Sequence, residues 1–269
     1  MRVTGLYVYP LKAARGLSLE EAKLDGFGIE GDRRWCLVGD DGRVITQRDC
    51  PVLATLEVTQ SGGGLEVRAA GRSPLRVRRP QPDQEVRPVD VWADRTEGLT
   101  AGAEADSWLE ALVGRPCRLL FMPSTTRRQV SRAFGRPGDL VSFADGYPLL
   151  LTSEASLAEL NRRLDTDVPM DRFRPNLVVD GSEPFAEDQW AKIRVGDTSF
   201  RVVKPCARCV VTTTDQRTGI RNREPLRTLA TFRRVDDKVL FGENLIHDGP
   251  GPVSRGDRVE VLEWRRPGS

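Results

Sequence analysis

Lys204-Pro205-Cys206-Ala207-Arg208-Cys209-Val210-Val211-Thr212-Thr213-Thr214-Asp215 holds the one closely spaced pair among the chain's five cysteines. Four chemistries compete for that pair. A zinc site needs four ligands, and with His247 the sole histidine, Cys36, Cys50 or Cys117 would have to converge on it. A thioredoxin-like dithiol wants its first cysteine at a helix start after a strand; here the run Val210–Thr214 favours a strand and no βαβ pattern surrounds it. A structural role is open too, because cysteine is often a small buried hydrophobe. The fourth is a metal thiolate. Lys204 and Arg208 flank the pair, positive charge favours the ligating form of a thiol, and soft sulfur suits a redox metal. One cysteine would then suffice if a cofactor supplied the other sulfur ligands.

The rest of the chain sets limits. Its 269 residues, 39% hydrophobic and 30% charged, allow one large domain or two modest ones with a packed core. A net charge of +2 lacks the basic excess of a nucleic-acid coat, and the pairs Arg127-Arg128 and Arg162-Arg163 read as solvated faces. No apolar run approaches the roughly 18 residues of a membrane span, and the first ten residues turn polar too soon for a secretory signal. A cytoplasmic protein with reduced thiols, without nucleic-acid or membrane partners, is expected.

The pattern is mostly strands. Residues 3–9, 34–38, 53–59, 65–69 and 75–78 are rich in β-branched and aromatic residues between Gly and Pro turns, and Gly39-Asp40-Asp41-Gly42 predicts a hairpin into 43–46. Helices are expected over 103–113, stopped by Gly114 and Pro116, from a Thr152 or Ser153 cap, and from Pro225. Further strands are expected at 176–180, 193–195, 199–203, 210–214, 239–241 and 259–264. The fold class is mainly β with a few helices (α+β), packed on barrel-like sheets, with a boundary near residues 118–125.

Cys206 to Gly219, Cys-Ala-Arg-Cys-Val-Val-Thr-Thr-Thr-Asp-Gln-Arg-Thr-Gly, resembles the signature of the MOSC domain. Val8-Tyr9-Pro10-Leu11-Lys12, Gly31-Asp32-Arg33-Arg34-Trp35, Phe173-Arg174-Pro175-Asn176-Leu177, Glu224-Pro225-Leu226 and Phe241-Gly242-Glu243-Asn244 resemble further landmarks of that family, in order. The resemblance is to the branch with mitochondrial amidoxime-reducing components and a bacterial hydroxylaminopurine-detoxifying protein. It implies a MOSC N-terminal β domain over 1–120 and a MOSC-type β-barrel domain over 121–267.

It also implies a molybdenum–pterin cofactor (molybdopterin), with Cys209 as metal ligand and catalytic residue and Cys206 in a supporting place. The matching cofactor-binding positions are Lys12, Arg33, Thr152, Ser153, Arg174, Asn176 and Arg208. Arginine suits a phosphate, an asparagine both donates and accepts, and hydroxyls at a helix start can hold an anion. Taken singly, Arg33 reads as an ion pair with Asp32 or Asp40, Thr152 and Ser153 as a helix cap, and Arg174 as an exposed rim residue. Ala13 stands where the family commonly has serine; Arg15 or a water would have to replace that contact. The implied reaction is two-electron reduction of N-hydroxylated compounds such as hydroxylamines and amidoximes. No cysteine follows Cys209 to build an iron–sulfur cluster, so a separate ferredoxin, flavoprotein or haem protein is the expected electron donor. The alternative is a carrier of the cofactor or of sulfur without turnover, and a third reading is a structural relative without cofactor. His247 reads as a loop histidine.

Overall fold

The computed structural model describes residues 1–61 and 63–266; residue 267, the expected end of the second unit, lies outside them. In chain order come β1 Arg2–Val8, β2 Leu17–Ser18, β3 Glu21–Asp25, β4 Gly28–Ile29, β5 Trp35–Val38, β6 Glu57–Ser61, β7 Gly64–Arg68, β8 Leu75–Val77, β9 Val86–Val91 and β10 Asp94–Thr100. Helix α1 Ala103–Val113 leads to β11 Arg118–Phe121, and β12 Leu149–Ser153 runs into α2 Glu154–Asn161. There follow β13 Leu177–Asp180, β14 Trp190–Val195, β15 Thr198–Arg208, α3 Leu226–Phe232, β16 Arg234–Val235, β17 Lys238–His247, β18 Gly251–Ser254 and β19 Val259–Trp264. The fold is mainly β with three helices among the described residues.

The largest sheet runs β19-β14-β15-β17-β12-β13-β1-β2, with β16 beside β17. Its strands are antiparallel except for the β12–β13 pair. Alternation along β15 sends Thr198, Phe200 and Val202 inward, where Phe200 and Val202 join Leu6, Leu151, Leu177, Trp190 and Leu245 in one core. Among the described residues no full ladder shuts the sheet. An isolated bridge from Arg2 to Arg258, and a hydrogen bond from Val259 N to Met1 O of 2.9 Å, nevertheless bring the entry to β19 against β1. The sheet β5-β11-β10-β9 and the sheet β6-β7-β8 pack with α1 on other cores, around Leu37, Leu65, Leu109 and Leu119 and around Phe143 and Leu120. The third small sheet, β18-β3-β4, mixes the two ends of the chain.

The expected helices are present: α1 matches 103–113 and ends on Gly114 in the left-handed conformation, α2 is capped by Ser153, and α3 follows Pro225. Three strand expectations fail. Val210–Thr213 is a 3-10 turn, because the Thr212 and Thr213 hydroxyls donate to the Cys209 and Val210 carbonyls, a local alternative to a sheet ladder. Pro51–Thr55 is likewise 3-10, leaving only Glu57–Ser61 as strand. The hairpin at Gly39–Gly42 shrinks to a single bridge, Val38 to Val44, since the ladder of β5 is with β11. Arg128 also departs from the solvated face expected of it. It is 4% exposed and donates to the Ser142 and Ala144 carbonyls, holding the loop before β12.

Candidate active site

β15 delivers the cysteine pair. Its register against β17 slips between Val202 and Lys204 and again between Pro205 and Ala207, and such irregularities re-aim the side chains that follow. Cys209 leaves the strand as the residue before the 3-10 turn. It lines a cleft of about 900 Å³ of empty space, partly open to solvent, together with Cys206, Lys12, Arg33, Arg174, Asn176 and Arg208. These residues come from segments up to almost 200 positions apart in the sequence, and the fold brings them to one hollow. Arg48 and Arg172 join them, so six cationic side chains face it against one carboxylate, Asp145.

Strain marks the same hollow. Ala13, Arg33 and Arg174 all line it and all have positive φ, at 72°, 47° and 56°. The left-handed conformation costs an L-residue about 1–2 kcal/mol, and such residues gather at functional sites.

Arg33 donates to the buried Asp32 carboxylate, to the Asn176 amide oxygen at 2.9 Å and to the Arg174 carbonyl at 3.2 Å. Arg174 donates to the Ala14 carbonyl at 2.6 Å, and both guanidinium groups lie 4.3 Å from the Tyr9 ring centre. Burial, with Arg33 adding to it and Tyr9 opposing, brings Arg174 down to about 10, which leaves it charged at neutral pH. Lys12 is also buried, which lowers its ammonium, and it donates to the Phe143 carbonyl and to Asp145. Burial would raise the Asp145 carboxyl, but Lys12 and Arg48 outweigh it and hold the group well below the usual range. Arg48 meets the Asp145 carboxylate at 3.4 Å and the Cys209 thiol. Burial works against its charge, and those two neighbours hold it above its ordinary value.

Two arginines are left with donors to spare. Arg208 gives Nε to the Phe241 carbonyl at 2.8 Å and Nη1 to Phe173 at 3.0 Å, while its Nη2 is buried without a partner. Arg172 bonds Asp215 through Nη2 at 2.9 Å, and its Nε and Nη1 are buried without partners. A buried unpaired donor costs about 1–3 kcal/mol. Planar guanidinium forks match the oxygens of a phosphate, so an oxyanion in this cleft fits what these three nitrogens lack.

Four expectations need correction. Thr152 and Ser153 are fully buried and do not line the cleft. Ser153 accepts from Ser156 N as the helix cap and donates its hydroxyl to Ser156 or Glu187, and the Thr152 hydroxyl turns to the Met170 sulfur. Asn176 has no atom to offer a ligand. Its oxygen accepts from Arg33 and Leu150 N, and its nitrogen donates to Tyr7 O and Asp32. Arg15 pairs with Glu57 at 3.1 Å and does not line the cleft beside Ala13. Arg174 is not an exposed rim residue either: it is half-buried, and its Nη1 donates to the Ala14 carbonyl and to Gln216 within the wall. The three remaining cysteines lie in the N-terminal cores, Cys36 in one and Cys50 and Cys117 in another, so they cannot complete a zinc site at the pair. His247 closes β17, its Nε2 2.6 Å from the Asp25 carbonyl, outside the cleft.

Arg48, Arg172 and Asp145 were not read from the sequence. Arg172 adjoins the Phe173–Leu177 landmark and could have been drawn in with it. The other two sit in loops with no periodic signal.

Comparison with known proteins agrees along the length. Residues 1–116 match the MOSC N-terminal beta barrel domain and residues 139–260 the MOSC domain. Mitochondrial amidoxime-reducing component 1 of Homo sapiens is 34% identical over 279 residues, covering 97% of this chain and 82% of its own. A molybdenum cofactor sulfurase of Oryza sativa subsp. japonica is 31% identical over 90% of this chain, though that alignment spans only 32% of the sulfurase. Among solved structures, the YUAD protein of Bacillus subtilis aligns over 96% of this chain and 93% of its own, at 13% identity and a TM-score of 0.44.

Proposed function

Since the chain belongs to the MOSC family, with a MOSC N-terminal domain ahead of a MOSC domain, we propose that its cleft holds a molybdenum–pterin cofactor through the Cys209 thiolate and reduces N-hydroxylated compounds. The observation that carries this reading is the set of buried, unpartnered guanidinium N–H groups on Arg172 and Arg208 beside that cysteine. The amidoxime-reducing relatives support the substrate class. When bound, the cofactor would supply two-electron chemistry, by which N–OH, two protons and two electrons become N–H and water.

The chain's own groups divide the remaining work. Arg172 and Arg208 present free donors to a phosphate. Arg33, Arg174 and Lys12 supply a positive field, held in place by Asp32, Asn176, the Ala14 carbonyl and Asp145. Arg48 lays its charge against the ligating sulfur. Cys206 lines the same wall in a supporting place. Electrons would come from a separate ferredoxin, flavoprotein or haem protein.

The sulfurase relatives favour a second reading, in which the cleft carries the cofactor or a sulfur atom without turnover. Protein made in a host that synthesises the cofactor should contain one molybdenum per chain, lost in Cys209→Ser and kept in Cys206→Ser. Full metal content in Cys209→Ser would overturn the ligand assignment. Reduction of an amidoxime by the loaded protein with an artificial donor separates the reductase from the carrier.

A further inference from the structure

Trp92 is placed in a way that folding does not explain. It is the first residue of the two-residue loop between β9 and β10, since Val91 pairs with Asp94. Its φ is 58°. Glycine or asparagine is the usual occupant of that position in such a hairpin, because side chains with a Cβ disfavour positive φ. The side chain on this strained backbone is the largest available, and it is 65% exposed. A tryptophan is normally mostly buried. Here the turn is strained and an apolar ring is left in water, and one contact with Arg48 offsets only part of both.

The surroundings of the ring show what it serves. The Arg48 guanidinium lies 4.4 Å from its centre and covers one face. Arg48 also meets the Asp145 carboxylate at 3.4 Å and neighbours the Cys209 thiol, and the indole lies near that carboxylate. Trp92 thus sits against Arg48, a residue of the cleft wall that pairs with the half-exposed Asp145, and most of the ring's own surface is open.

We propose that Trp92 is a substrate-contacting residue, whose open face stacks planar aromatic N-hydroxylated compounds at the entrance to the cleft. The inference rests on the reading of the cleft as a reductase site. A ring laid on the indole would complete a stack of guanidinium, indole and substrate, and rings offset in this way attract beyond their buried area. The N–OH group on a short arm would then point inward, toward Cys209.

The test is calorimetric binding of an aromatic amidoxime, benzamidoxime, and an aliphatic one, acetamidoxime, to the loaded protein and to its Trp92→Ala, Trp92→Phe and Trp92→Gly variants. The wild type should favour the aromatic ligand, and Trp92→Ala should reduce the ratio of the two dissociation constants about three- to tenfold. Trp92→Phe should restore most of it. Trp92→Gly should lose the preference while raising the melting temperature, because the strained turn is relieved; a purely structural tryptophan would lower it. An unchanged ratio in Trp92→Ala and Trp92→Gly overturns the proposal. So does a loss of turnover confined to a protein electron donor, which would make the ring a docking contact. A binding preference without turnover would count against the reductase reading and leave this one standing.

Discussion

Asn176 commits every hydrogen-bonding position of its amide inside the protein, two of them to the pair Arg33 and Asp32. It is therefore the peg that fixes a cation of the cleft wall. Asn176→Ala leaves a buried carboxylate, a guanidinium and two backbone groups short of partners, and should cost about 4 kcal/mol in urea denaturation, at the low end of about 1–3 kcal/mol for each unmet group. Molybdenum content should fall with it as Arg33 loosens. At this scale the sequence reading was uneven, for a physical reason. Lys12, Arg33, Arg174, Asn176, Arg208 and Cys209 sit in short motifs and could be collected from them. Thr152 and Ser153 could not be judged, since a hydroxyl at a helix start looks alike whether it meets an anion or caps the helix. Glu187, 34 residues away from Ser153, decides the matter.

β17 shows what an element adds. Glu243 sits in it fully buried, opposite Pro205 of the cysteine-bearing strand, and its carboxylate takes Arg265 at 2.6 Å. Burial outweighs that arginine and, with Asp188 and Glu187 near, pushes the carboxyl up to about 8. A raised folded-state value means the native state binds the proton more tightly than the unfolded chain. The stabilisation is complete below the ordinary value of 4.5 and is lost as pH rises through about 8. Melting temperatures from pH 5 to 9 should decline in the wild type, and Glu243→Gln should flatten the curve; an equal slope in both would refute the assignment. Glu187, raised in the same sense by its own burial, should leave a residual slope. Elements with regular apolar spacing, such as α1 and β19, were legible beforehand. β9 and β10 were not, because Arg87, Asp90, Arg95 and Glu97 interrupt the apolar alternation with charge. The Val210–Thr213 turn was misread because a run of β-branched residues signals strand until its hydroxyls find carbonyls nearby.

Across the molecule, the first residues complete the last sheet. β1 pairs with β13, β3 pairs with β18, and the entry to β19 returns to Arg2. A fragment of residues 121–266 therefore lacks the strand that covers Leu177–Asp180, and an open apolar strand edge invites aggregation. We expect that fragment to be insoluble, or to lack cooperative unfolding by circular dichroism, and a fragment retaining residues 1–30 through a linker to recover it. A soluble, cooperatively folding 121–266 would show that the interlocking is dispensable. This scale was the least visible in the sequence, where pairing between residues 2 and 180 leaves no local trace.

The placement of the thiols has a practical side. Cys36, Cys50 and Cys117 are packed away, and burial raises all three, Cys117 to about 12. Burial raises Cys206 as well, but positions 206 and 209 are partly exposed, so a maleimide dye offered to the native chain has the wall that bears them as its address. A fluorophore could thus be installed on the wall of the hollow without engineering any residue, and its colour would report whatever enters.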